Sequence, residues 1–245
     1  MTGGTGFLGT ELAARLSRLP DRRLYVLVRA EDQTEALYRL KGVWHHDPAL
    51  YNSIGNAVIP VPGDFTKPGL GLRGEDADLL IRRVGVVIHA GAEVGFSKSR
   101  KELKETNYAG TGHVLAFAKR IPDLERFVYL STAYVAGQKE GLVTEEEPPA
   151  SAFSSYYEKT KAKAESLVRT SGLPFSICRP GMIVGDSETG WARTFNTVYY
   201  VLKLMLLKKL PVLPVHPDTP LNLVPVDYVA DSVVRIAFSE ETEGK

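Results

Sequence analysis

Apolar residues recur along the chain in two rhythms. Short apolar runs at 24–28, 57–61, 84–90, 127–130 and 175–178 read as strands. The run at 84–90 is nearly continuous, as expected of a strand buried on both faces. Pro60 marks its strand as a late or edge one, because proline cannot donate to a ladder. Between these runs the spacing becomes helical. Leu8, Leu12 and Leu16 recur every four residues around a helix predicted over 10–19. Further helices are predicted over 31–40, 75–83, 101–120, 153–171 and 227–239. Residues 44–56 are polar and turn-rich and predict no element. Strands alternating with helices of ten or more residues define βαβ units and a parallel sheet.

The 245 residues suit one α/β domain, with 44% hydrophobic and 24% charged residues. Thirty basic against 29 acidic residues leave a net charge of +1, which argues against a broad nucleic-acid surface. The single cysteine, Cys178, excludes an internal disulfide and a multi-cysteine metal site. It lies in an apolar strand and reads as an inert buried thiol. No metal site is expected. No apolar run reaches the ~18 residues of a spanning helix, and no signal peptide is legible, so a cytoplasmic location is expected.

Candidate chemistry begins at once. Gly3, Gly6 and Gly9 form a G-x-x-G-x-x-G loop with Thr5, Phe7 and Leu8 between them. Such glycines allow a tight turn, close approach to a pyrophosphate and close packing of helix on strand. The following helix would offer its N-terminal N–H groups to an anion. The loop normally follows a buried strand, and only Met1 and Thr2 precede it, so the chain reads as a fragment lacking its first strand.

Arg29 ends the strand at 24–28, twenty residues after Gly9. An acidic residue there would hold the ribose 2′-hydroxyl of NAD; an arginine can pair with a 2′-phosphate instead. NADPH is therefore expected over NADH. Asp64, with Phe65 beside it, either contacts the adenine or caps a turn. Ala90, Gly91 and Ala92 are small enough for a nucleotide to lie along their backbone. His89 reads as structural rather than as a base. Asn107 could anchor active-site backbone or a water.

Tyr157 and Lys161 stand four residues apart on a predicted helix, hence on one face. A lysine ammonium beside a phenol would lower a pKa that starts near ~10. Thr132 follows the strand at 127–130, at the edge where parallel sheets bind ligands. Each motif alone has an ordinary structural explanation: a solvated helix face, or a hydroxyl-rich turn. Residues 198–207 are apolar with Lys203 inside, followed by Lys208 and Lys209. They read as a packed helix or as an apolar lid or groove wall. Residues 210–220 are proline-rich and read as an extended loop.

Taken in order, these motifs resemble the extended short-chain dehydrogenase/reductase family. Within it they are similar to the thioester reductase and fatty acyl-CoA reductase branch, the male-sterility type of NAD-binding domain. The resemblance rests on Thr2-Gly-Gly-Thr-Gly-Phe-Leu-Gly9, Leu27-Val-Arg-Ala30, Ser131-Thr-Ala-Tyr-Val135 and Tyr157-Glu-Lys-Thr-Lys-Ala-Lys-Ala-Glu165. Residues 179–190 and 224–231 match as well. It implies a Rossmann-like, doubly wound parallel sheet with helices on both faces. Residues 1–178 would bind NADP, and 179–245 would form a partial substrate lobe with a return helix at 227–239. It implies Thr132, Tyr157 and Lys161 as the catalytic triad, with Lys161 also on the nicotinamide ribose. Gly3, Gly6 and Gly9 would hold the pyrophosphate, Arg29 the 2′-phosphate and Asp64 the adenine, with Asn107 a weaker correspondence.

The implied reaction is reduction of a carbonyl by NADPH, with a small-molecule or carrier-bound acyl thioester giving an aldehyde. The alternatives are a sugar-nucleotide epimerase or dehydratase, a hydroxysteroid-type dehydrogenase, or an inactive nucleotide-binding fragment. The helices at 101–120 and 153–171 would form a homodimer bundle. The missing first strand would leave backbone groups unpaired at about 1–3 kcal/mol each. Against a total stability of about 5–15 kcal/mol, the chain is expected to be marginal.

Overall fold

The first helix, α1 (Phe7–Leu16), starts earlier than the apolar spacing implies, because Gly6 can serve as an extended N-cap. The computed structural model describes residues 1–94, 98–146, 149–193, 197–210, 212, 221–239 and 244. After α1 come β1 (Leu24–Arg29), α2 (Gln33–Trp44), α3 (Pro48–Ser53), β2 (Val58–Gly63), α4 (Gly74–Arg83) and β3 (Val86–His89). Then follow α5 (Arg100–Leu103), a π-helical segment at Lys104–Ala109, α6 (Gly110–Ala118), β4 (Arg126–Leu130), α7 (Tyr156–Arg169) and β5 (Phe175–Cys178). The described chain ends with β6 (Met182–Val184), α8 (Thr197–Leu206), β7 (Leu223–Pro225) and α9 (Val226–Phe238).

Among the described residues every strand pairing is parallel: β1 with β2, β3 with β4, β4 with β5, and β6 with β7. Proline-bearing β2 is an edge strand, as expected. Met1 and Thr2 lie between β1 and β3 and stitch them together. The Leu27 N–H donates to Met1 O at 2.9 Å, and the Thr2 N–H donates to Ile88 O at 3.0 Å. Alongside this stitch, β1 and β3 flank a cavity of about 310 Å³ that Leu24, Leu27, Val86 and Ile88 help line.

The two faces of the sheet bury different helices. Leu12 and Leu16 of α1 and Val229 and Val233 of α9 pack with Ile88, Val128 and Leu130. On the other face Val114, Phe117, Ala164 and Val168 of α6 and α7 pack with Phe127 and Tyr129. All five residues of β4 are buried, which makes it the spine of the core. Each large apolar side chain so buried contributes roughly 1.5–3 kcal/mol.

Three departures from the sequence pattern matter. The helix predicted over 101–120 is broken by the π-helical segment, which turns Asn107 into the interior. The polar stretch at 44–56 contains α3, and Trp44 is fully buried. Helix α8 exposes Tyr200, Leu202, Met205 and Leu206 rather than packing them away. Of the predicted loop at 210–220, only Leu210 and Val212 fall among the described residues.

Candidate active site

The glycine-rich loop forms as expected and packs on the end of β3. Gly3 adopts φ +76°, and a Cβ there would lie 2.6 Å from the Ala90 carbonyl and the Gly91 nitrogen. That contact brings Ala90, Gly91 and Ala92 beside the loop. At Gly9 a Cβ would sit 1.9 Å from Gly3 O, so only glycine lets α1 dock so close. Among the described residues no side chain caps α1, and its first turn holds no acidic residue. Its N-terminus with Gly6, Phe7 and Leu8 therefore fits an anionic group supplied from outside.

Two elements outside the motif hold this loop. The Trp44 indole donates to Gly4 O at 3.1 Å. The Arg193 guanidinium donates to Thr5 O at 2.8 Å and to Thr10 Oγ1 at 3.2 Å. Trp191, two residues earlier, stacks on His46 at 4.7 Å and lies 6.5 Å from the Phe7 ring. Sequence reasoning missed Trp44, Trp191 and Arg193, because their partners are between 40 and 188 residues away.

Arg29 is exposed at the carboxyl end of β1, where its carbonyl accepts from Arg39 Nη1 at 2.6 Å. Arg39 thus joins Arg29 at this edge, a second cation that the motif did not announce. Asp64 caps a turn, its Oδ1 accepting from the Thr66 N–H at 2.9 Å and the Thr66 hydroxyl at 2.7 Å. Phe65 fills the space above two glycines: a Cβ on either Gly91 or Gly110 would meet its ring at 2.8 Å. It also meets His89 edge-on at 5.4 Å.

His89 is structural. Its Nδ1 lies 2.7 Å from Thr2 Oγ1 and its Nε2 lies 3.0 Å from Thr111 Oγ1. Burial, and then the Lys161 charge, lower its pKa to about 3, so it stays neutral. Asn107 anchors the loop after β3: its Oδ1 accepts from the Glu93 N–H at 2.8 Å and its Nδ2 donates to Glu93 O at 2.9 Å. The π-helical turn supplies that inward aim, a common use of such turns. Cys178 is buried and burial pushes its thiol up to about 12, so it is inert as expected.

Thr132, Tyr157 and Lys161 converge at the carboxyl end of β4. The Ser155 side chain caps α7 by accepting from the Glu158 N–H, which starts the helix just before Tyr157. Burial pushes the Tyr157 phenol up to about 12, against a lowering hydrogen bond with the Thr132 side chain. Lys161 is buried, donates to Leu130 O at 2.5 Å and lies 4.3 Å from the centre of the Tyr129 ring. Burial lowers its pKa to about 7, and the Glu165 charge opposes that. The expectation that Lys161 lowers the Tyr157 pKa is therefore corrected. Its ammonium is turned to the Leu130 carbonyl, and desolvation dominates the phenol. The phenol stays protonated at neutral pH, which suits a proton donor.

Beneath Thr132, Tyr157 and Lys161 lies a charged cluster whose members Glu165 and Arg179 stand in the matching stretches but have no implied role there. Glu165 is fully buried; its Oε1 accepts from Arg179 Nη2 at 2.6 Å and Arg169 Nε at 2.9 Å. Its Oε2 accepts from the Ser131 hydroxyl at 2.7 Å and Arg179 Nε at 3.2 Å. Burial raises its pKa, but Arg179 and Ser131 outweigh this and hold the carboxyl below its ordinary range.

A parallel α/β sheet with a glycine-rich loop at one strand edge and a Thr–Tyr–Lys cluster at another defines a nucleotide-binding domain of the short-chain dehydrogenase type. The chain matches the NAD-binding family described as "Male sterility protein" over residues 1–233 and belongs to it. A nicotinamide cofactor follows from that family. The terminal R domain from the myxalamid PKS-NRPS biosynthetic pathway is 32% identical, with a TM-score of 0.89 over 100% of this chain and 62% of that one. A linear gramicidin synthase polypeptide of Brevibacillus parabrevis is 32% identical over 99% of this chain and 5% of its own length. A putative fatty acyl-CoA reductase of Drosophila melanogaster, CG8303, is 29% identical over 95% of this chain and 50% of its own. The chain thus spans no more than half of these two curated relatives. Among the described residues no helix is long and apolar enough to cross a membrane.

Proposed function

We propose that this chain is the cofactor-binding and catalytic part of an NADPH-dependent reductase that converts an acyl thioester to an aldehyde. The carrying observation is the cluster at the end of β4: Thr132 and Tyr157 within hydrogen-bond reach, and Lys161 buried one helical turn from Tyr157. NADPH, when bound, supplies a hydride equivalent to the thioester carbonyl carbon. Residues 3–9 would hold its pyrophosphate on the N-terminus of α1, with Arg193 beside that loop and Arg29 on the 2′-phosphate. The small residues 90–92 leave room for the nucleotide.

The chain's own groups then manage charge and protons. Thr132 and Tyr157 donate hydrogen bonds to the carbonyl oxygen as negative charge develops there, where preorganised donors are most effective. Tyr157 is a phenol at neutral pH and gives its proton to that oxygen. Collapse of the adduct expels the thiol and leaves the aldehyde. Lys161, one helical turn from Tyr157, keeps two donors beyond the one given to Leu130 O, and these would serve the nicotinamide ribose. Residues 179–245 would contribute to the substrate side, and the reaction would run in the cytoplasm. The relatives named as reductases support this reading, as does arginine rather than an acid at position 29.

The test is a titration with NADPH and NADH by nucleotide fluorescence, followed by an acyl-CoA assay with the aldehyde trapped. Preference for NADPH with thioester-dependent oxidation is expected. Tyr157→Phe should retain nucleotide binding and lose at least about a hundredfold in turnover, within the range of general acid catalysis. Equal binding of NADH, or full activity in Tyr157→Phe, would overturn the reading.

A further inference from the structure

A fully buried carboxylate costs stability unless it serves something, and Glu165 has two buried tasks within reach of the triad. One turn after Lys161 on α7, it faces the same strand end. Lys161 grips that end at Leu130 O, and Glu165 grips the next residue through the Ser131 hydroxyl. The residue after that is Thr132. The far side of the turn is tied to the segment carrying Arg179. The Ser131 N–H donates to Cys178 O at 2.7 Å, the Ala133 N–H to Pro180 O at 2.9 Å, and Thr132 Oγ1 to the same Pro180 O at 3.5 Å. Arg179 closes the circuit by its two-nitrogen contact with Glu165. A ring of contacts therefore runs Glu165–Ser131–Thr132–Pro180–Arg179–Glu165.

We propose that Glu165 is a positioning residue for the reduction, holding the Ser131–Thr132 turn through this ring and keeping the Lys161 ammonium charged beneath it. The role in turnover rests on the reductase reading above. The hold on Lys161 does not. Arg169, on the next turn of α7, shares the carboxylate and keeps it from folding away from the ring. The geometry also couples the segment that follows β5, which begins at Arg179, to the hydroxyl that meets the carbonyl.

Glu165→Gln keeps the shape and an acceptor for Ser131 but removes the charge. Ser131→Ala leaves the Glu165 ion pairs intact and cuts only the tie to the turn, so it folds even where Glu165→Gln does not. Two readouts are needed. The first is the ¹³Cε titration of Lys161 by NMR, which requires no activity. Its midpoint should fall by about half a unit or more in Glu165→Gln, as loss of a nearby anion dictates, and stay put in Ser131→Ala. The second is kcat and KM for acyl-CoA reduction across pH. Both variants should lose about tenfold or more in kcat with KM and NADPH affinity nearly unchanged. In Glu165→Gln the high-pH fall in kcat should also move to lower pH.

An unchanged Lys161 midpoint in a folded Glu165→Gln protein would overturn the hold on Lys161. Unchanged kcat in Ser131→Ala would overturn the hold on the turn. Loss of kcat only in step with loss of thermal stability would make the ring merely structural. A wild-type chain that reduces no thioester would sink the reductase reading, while the titration still decides whether Glu165 governs Lys161.

Discussion

Glycine to alanine in a helix usually stabilises, because alanine has the better helix propensity by roughly 1 kcal/mol. The structure says that this sign reverses at Gly9 and holds at Gly42. A Cβ on Gly9 would lie 1.9 Å from Gly3 O, 2.7 Å from Gly3 C and 3.1 Å from Gly4 Cα. All three are backbone atoms of a loop pinned by Trp44 and Arg193. Ordinary contact requires more than 3.4 Å, so α1 and the loop must part by more than an ångström. Overpacking of this kind costs typically about 1–3 kcal/mol beyond the propensity gain. A Cβ on Gly42, inside α2, meets nothing within 4 Å. Gly42→Ala should therefore gain about 0.4–1 kcal/mol. Urea unfolding reads the two stabilities, and NADPH titration reads the function. Gly9→Ala should be destabilised and lose most of its NADPH affinity, because the N–H groups proposed to hold the pyrophosphate move with the loop. Gly42→Ala should bind as wild type does. A Gly9→Ala protein as stable and as tightly binding as wild type would refute the reasoning outright.

Three further outcomes follow from the same geometry. Arg29→Gln should weaken NADPH by about tenfold or more and leave NADH unchanged, since a charge-assisted bond contributes about 1.5–3 kcal/mol; equal effects on both would remove the 2′-phosphate assignment. Arg193→Gln should weaken NADPH and NADH alike, because its guanidinium sits at the loop rather than at the 2′ position, and a salt titration of binding should flatten accordingly. His89 titrates at about 3 in the folded chain and near 6.5 when unfolded, so the unfolded state takes up the proton first as pH falls. Stability should therefore decline by about 2 kcal/mol between roughly pH 6.5 and 4.5 on this account, and His89→Gln should show a flatter decline by urea unfolding; an identical slope would mean that His89 already titrates normally.

Much of the molecule was legible in the residue pattern. Apolar runs of four to seven residues between helical spacings marked β1 to β5, because a strand buried on both faces needs apolar side chains at nearly every position. The glycine spacing announced the loop, since close backbone approach excludes every other residue type at Gly3 and Gly9. Tyr157 and Lys161 were legible as a pair through the helical period alone. Other features carry no local signal. Strands β6 and β7 are three residues each, too short for a period to show. Helix α3 lay in a polar stretch, although Pro48 follows Asp47 in the order of an N-cap and first turn.

Local chemistry along the chain determined which residues must be strand, helix, turn or glycine, because those choices depend on neighbours a few positions away. Tertiary structure decided what each functional group faces. It turned Lys161 onto Leu130 O rather than the phenol, and desolvation raised Tyr157 and lowered Lys161. It set Arg193 on a loop 188 residues distant and enclosed Glu165 with Ser131, Arg169 and Arg179. Burial and the distance between charges are properties of packing. Neither exists until the sheet and its helices have closed on one another.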